Sequence, residues 1–110
     1  MSVELLIWSG CPSHDDARDR LRRTLDELGR GDLAISETWV ESEERAAELG
    51  FVGSPTIRVD GVEVIPAPSD SAAGLTCRVY FTRAGKYSPL PDPDDLRENL
   101  AALLGPSLAS

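Results

Sequence analysis

The chain has 110 residues, enough for one domain with a real core but little to spare. Nineteen acidic against eleven basic residues give a net charge of −8, which argues against nucleic acid and against an anionic membrane surface as partners. No run reaches the roughly 18 apolar residues that span a bilayer, and Met1 to Trp8 has neither a basic n-region nor a small-residue cleavage site. The expected compartment is the cytoplasm, where Cys11 and Cys77 rest as thiols.

Val3 to Trp8 is a short, nearly continuous apolar run, the pattern of a strand covered on both faces. Ser9-Gly10-Cys11-Pro12 then turns the chain, and Pro12 suits the first position of a helix. Ala17, Leu21, Leu25 and Leu28 form one apolar stripe, and Gly29 and Gly31 stop the helix. Leu33 to Val40 reads as a second strand, parallel to the first in a βαβ unit. Ser42 caps a shorter helix that ends at Gly50. Thr56 to Val59 and Val62 to Ile65 are strands joined by the hairpin turn Asp60-Gly61.

Pro66 to Ala73 has loop composition, and Thr76 to Phe81 has the look of one more strand. Asp92-Pro93-Asp94-Asp95 is a full helix start, after which Leu96, Leu100, Leu103 and Leu104 are expected to face inward. One domain over residues 1–105 is expected, with 106–110 as a frayed tail.

This order of elements places Cys11 after strand one and Pro55 at the head of strand three. With the Gly10-Cys11-Pro12 corner, Ser54-Pro55-Thr56 and Asp60-Gly61, it resembles the thioredoxin-like superfamily over nearly the whole chain. The string GCPSH…GFVGSPTIRVDG…CRVY is also similar to small bacterial proteins labelled thioredoxin-family or alkylmercury lyase. The resemblance implies an α/β fold with a central mixed sheet of about four to five strands flanked by helices. It also implies a cis peptide before Pro55, lying against an active thiol at Cys11.

A sulfur at the N-cap of a helix faces the free N–H groups of the first turn, which favour its thiolate. Cys11 is therefore the expected nucleophile for thiol–disulfide exchange or reduction of a thiol adduct. The thioredoxin motif Cys-X-X-Cys is incomplete, however: Cys11-Pro12-Ser13-His14 carries His14 in the resolving position. An external thiol such as glutathione could resolve Cys11, or Cys77 could do so if its segment folds over the Cys11 corner. His14 shares a helical face with Cys11 and is a candidate base or pKa tuner.

Ser54, Pro55, Thr56 and Pro12 are the expected substrate contacts, with the Ser54 backbone open to pair with an extended thiol- or disulfide-bearing substrate. No cofactor is expected. The rival readings are a soft-metal protein, binding zinc, Cu(I) or mercury through Cys11, Cys77 and His14, and a degenerate non-catalytic binding module. Cleavage of a carbon–mercury bond ranks below both. Asp15 and Asp16 could supply the acid, but the sequence around that lyase family's own cysteines is not found here.

Overall fold

A computed structural model describes residues 2–67 and 71–105. The expected tail at 106–110 and part of the loop from Pro66 to Ala73 lie outside the described residues. The elements in chain order are β1 (Val3–Ile7), α1 (His14–Glu27), β2 (Ile35–Trp39), α2 (Glu43–Leu49), β3 (Thr56–Val59), β4 (Val62–Glu63), β5 (Tyr80–Phe81), β6 (Tyr87–Ser88) and α3 (Pro93–Leu104).

Four strands form a mixed sheet in the order β2-β1-β3-β4. β1 runs parallel to β2, with Val3 opposite Ile35, and antiparallel to β3, with Leu6 opposite Thr56. Because side chains alternate along a strand, β1 feeds two cores. Val3, Leu5 and Ile7 pack with Ala17, Leu21 and Leu25 of α1 and with Leu96, Leu100 and Leu104 of α3. Leu6 points the other way, to Ala46 of α2, Phe51 and Val40. The sheet therefore carries helices on both faces, which is why β1 reads as an almost unbroken apolar run. Each fully buried leucine contributes about 1.5–3 kcal/mol relative to exposure.

Local chemistry fixes the boundaries. Ser42 accepts a hydrogen bond from the Arg45 N–H at 3.1 Å, and Gly50 closes α2. Asp60 and Gly61 both have positive φ, at 50° and 84°, the pair a type I′ turn needs between Val59 and Val62. Asp92 caps α3 through the N–H groups of Asp94 and Asp95, with Pro93 in the first turn.

Several expectations need correction. α1 begins at His14 rather than Pro12 because the corner contains a turn of its own: the Cys11 N–H bonds the Trp8 carbonyl at 3.0 Å. The second and fourth strands are shorter than the apolar patterns suggest. Leu103 lies on the exposed side of α3, since the positions spaced by four already fill the buried stripe.

Thr76 to Phe81 does not form a continuous strand. Only Tyr80–Phe81 joins a ladder, a short antiparallel pair with β6, a strand not anticipated from sequence. Cys77 instead makes an isolated parallel bridge with Ser54. That pairing cannot extend into β3, because the next residue, Pro55, has no N–H to donate.

Candidate functional site

The sheet edge at the start of β3 holds the residues singled out in the sequence. The Ser54–Pro55 peptide is cis. Ser54, Pro55 and Thr56 are all buried, and their polar groups have partners within the chain. The Ser54 hydroxyl accepts from the Trp8 N–H at 3.1 Å, and the Thr56 hydroxyl donates to the Gly53 carbonyl at 2.6 Å. The Pro55 carbonyl accepts from the Tyr80 hydroxyl at 2.6 Å.

The backbone of Ser54 is not open to an incoming substrate. Its N–H donates to the Thr76 carbonyl, and its carbonyl accepts from the Arg78 N–H, both at 2.8 Å. The chain's own segment around Cys77 fills the edge where an extended peptide was expected to pair. Ser54, Pro55 and Thr56, expected as substrate contacts, hold the segments around them through these bonds. Of the four expected contacts, Pro12 alone is exposed.

Gly53 makes the close approach of this segment sterically allowed. A Cβ at Gly53 would lie 2.9 Å from both the Cα and the N of Arg78, and its φ of +143° suits glycine. Arg78 then anchors the segment from below. Its buried guanidinium pairs with Glu63 at 3.0 Å, donates to the Ile65 carbonyl and stacks on the Tyr80 ring at 4.6 Å. A buried arginine needs that full set of partners, and here it has them.

The outcome for the thiols differs from the expectation. Cys11 is fully buried, at 0% exposure, whereas Cys77 is exposed. Because α1 starts at His14, the Cys11 sulfur does not occupy the N-cap. Its S–H donates to the Ser54 carbonyl at 3.5 Å. The two thiol-bearing segments nevertheless converge on Ser54, which accepts the Cys11 S–H and bridges Cys77. Cys77 is pushed up to about 11, first by a side-chain hydrogen bond with Cys11, then by burial, then by the Cys11 charge. Sequence spacing gave no measure of this proximity; the Ser54–Cys77 bridge creates it.

His14 faces elsewhere. Its Nδ1 lies 2.8 Å from the Cys11 carbonyl oxygen, an acceptor, so Nδ1 carries the hydrogen. The ring packs edge-on against Trp39, and Nε2 is 3.7 Å from Asp15. His14 thus holds the Cys11 corner through its backbone. Among the described residues no group of three or more His, Cys, Asp or Glu is arranged to hold a metal ion. Cys11, Cys77 and His14 do not form such a group.

Around Cys77 the sequence reading missed an apolar surface. In the segment 77–81, Arg78 and Tyr80 point inward while Cys77, Val79 and Phe81 are exposed. This inverts the usual alternation, because Arg78 and Tyr80 have partners inside. A cleft of about 350 Å³ opens there, with Pro12, Cys77, Val79, Tyr87 and Pro89 among its walls. The period-two pattern from Cys77 to Phe81 was the available signal.

No helix among the described residues is long and apolar enough to cross a membrane. Comparison of the chain with protein families, with curated proteins and with solved structures returns no match.

Proposed function

We propose that this protein is a thioredoxin-like thiol–disulfide exchange module whose redox pair is Cys11 and Cys77. The observation that carries this reading is the convergence of both thiol-bearing segments on Ser54, whose carbonyl accepts the buried Cys11 S–H at 3.5 Å and whose backbone bridges the exposed Cys77. Support for the thioredoxin-like assignment comes from the strand order β2-β1-β3-β4, with β1 parallel to β2 and antiparallel to β3. The position of the thiol corner beside the Ser54-Pro55 segment supports it further.

Exposure sets the roles. A substrate disulfide reaches Cys77, whose thiolate attacks one substrate sulfur and expels the other as a thiolate. Cys11 then attacks the Cys77 sulfur of the mixed disulfide, expelling the second substrate thiolate and leaving a Cys11–Cys77 bond. Two protein thiols are oxidised by two electrons, one substrate disulfide is reduced to two thiols, and the protons pass to solvent or to the leaving thiolates. The same steps run backward when a thiol substrate attacks the oxidised pair. A reducing compartment such as the cytoplasm would keep the pair as thiols between turnovers.

The test is stoichiometric. At mildly alkaline pH, an activated aromatic disulfide should release two equivalents of chromophoric thiol per chain, with no adduct retained by mass. Cys11→Ala should release one equivalent and keep the adduct on Cys77. A wild-type chain that releases one equivalent and retains the adduct would be a monothiol carrier, and the paired mechanism would be wrong.

A further inference from the structure

We propose that the cleft beside Cys77 is a subsite for a small, uncharged, apolar thiol or the corresponding disulfide. This inference rests on the exchange role above and names its substrate class. The cleft, at about 350 Å³, is open to solvent and has room for a group the size of a side chain. Val79 and Tyr87 stand at 66% and 75% exposure beside an exposed thiol, and Phe81, 62% exposed, packs against Tyr87 with ring centroids 5.2 Å apart. Large apolar side chains held in water around an exposed thiol are covered favourably by an apolar ligand.

Charge narrows the class. Among the described residues lining the cleft, Arg78 is the one cation, and its guanidinium is buried against Glu63, the Ile65 carbonyl and the Tyr80 ring. The remaining lining residues are neutral prolines, serines, valine, tyrosine and Cys77 itself. A thiol carrying carboxylates, such as glutathione, would lose hydration there without gaining a counter-ion, and the net charge of −8 repels it further.

The closed Ser54 edge narrows the class again. With its N–H and carbonyl taken by Thr76 and Arg78, strand addition by an extended polypeptide is blocked. Recognition is left to groups the size of a side chain entering the cleft. In the oxidised protein, such a thiolate attacks the Cys77 sulfur, breaking its bond to Cys11, which leaves as a thiolate and takes a proton. A second ligand thiolate attacks the ligand sulfur of that mixed disulfide, giving the ligand disulfide and Cys77 thiolate. Two ligand thiols are oxidised and the protein pair is reduced.

The experiment measures cleft preference without requiring exchange. Alkylation of Cys77 in the reduced wild-type protein is followed by mass with N-methyl-, N-benzyl- and N-carboxymethylmaleimide, each rate divided by that of free cysteine. The expected result is a normalised benzyl-to-methyl ratio of about five or more, and a carboxymethyl-to-methyl ratio below one. Val79→Glu, at an exposed position, should bring the benzyl-to-methyl ratio close to one, and Tyr87→Ala should lower it. Equal normalised rates for all three reagents, or a benzyl preference unchanged by Val79→Glu and Tyr87→Ala, would overturn the subsite. Because alkylation needs no resolving thiol, a failed exchange reaction and a failed subsite give separate results.

Discussion

The carbonyl of Ser54 receives both the Cys11 S–H, at 3.5 Å, and the N–H of Arg78, the residue after Cys77, at 2.8 Å. One acceptor with two lone pairs thus joins the two thiol-bearing segments. Cys11 arrives from the β1–α1 corner and Cys77 from a segment 66 residues later in the chain, held by its bridge to Ser54. The arrangement makes Ser54 a common reference point for both thiol-bearing segments, one sulfur buried and the other exposed.

Cys77 should be slow to alkylate at neutral pH, with a rate that climbs as pH rises toward about 11. Cys11→Ala removes the hydrogen bond and charge that hold the Cys77 proton, so the thiolate fraction at neutral pH rises. A lower pKa also weakens the nucleophile, so the net gain in alkylation rate at pH near 7 should be roughly three- to tenfold. Iodoacetamide kinetics over a pH series check both the position of the curve and its shift. An unchanged curve in Cys11→Ala would mean that the thiols do not interact.

Gly53→Ala should loosen the Cys77 segment. The added Cβ meets the Arg78 backbone at 2.9 Å and forces an unfavourable φ. Such strain costs about 1–3 kcal/mol, visible as a lower denaturation midpoint. Hydrogen exchange at the Arg78 N–H should accelerate more than at Leu5 or Leu6 in the sheet centre, since the bond from Arg78 to Ser54 is the one displaced.

Tyr80→Phe removes the donor to the Pro55 carbonyl and leaves that buried acceptor unpaired. The expected loss is about 1–2 kcal/mol by chemical denaturation. Burial raises the Tyr80 phenol from its ordinary 10.0 to about 12. The folded state therefore holds its proton longer than the unfolded chain, and the associated stability is complete below pH 10 and lost as pH rises toward 12. That part of the alkaline loss should be absent in Tyr80→Phe.

Asp92→Ala should destabilise α3 by about 1 kcal/mol through loss of its N-cap. The Arg83 N–H, followed by those of Asp94 and Asp95, holds the Asp92 carboxyl below its ordinary value of 3.8. The folded state therefore binds its proton less readily than the unfolded chain. Its contribution is present above about pH 3.8 and disappears as pH falls through the lower folded value. Acid-denaturation curves of wild type and Asp92→Ala should converge at the acidic end.

The elements that were legible in the sequence are those fixed by local chemistry. The Ser42 and Asp92 caps, the Asp60-Gly61 turn and the apolar stripe of α1 were readable because each depends on a few neighbouring residues. The parallel pairing of β1 and β2 followed from chain connectivity. The burial of Cys11 was not readable, because it depends on packing against residues distant in the chain, the Ser54 carbonyl among them. The inversion at 77–81 was hidden for a similar reason: Arg78 and Tyr80 turn inward only because Glu63, the Ile65 carbonyl and the Pro55 carbonyl await them. His14 read as a partner for the thiol by helical spacing, yet the turn before α1 presents it with the Cys11 carbonyl instead.

The most direct test of the central claim is the mass and connectivity of the protein after mild oxidation by diamide. The expected product is a monomer lighter by two hydrogens, with Cys11 and Cys77 recovered in one linked pair of peptides that separates on reduction. Oxidation that yields dimers through Cys77 while Cys11 remains a free thiol would contradict it.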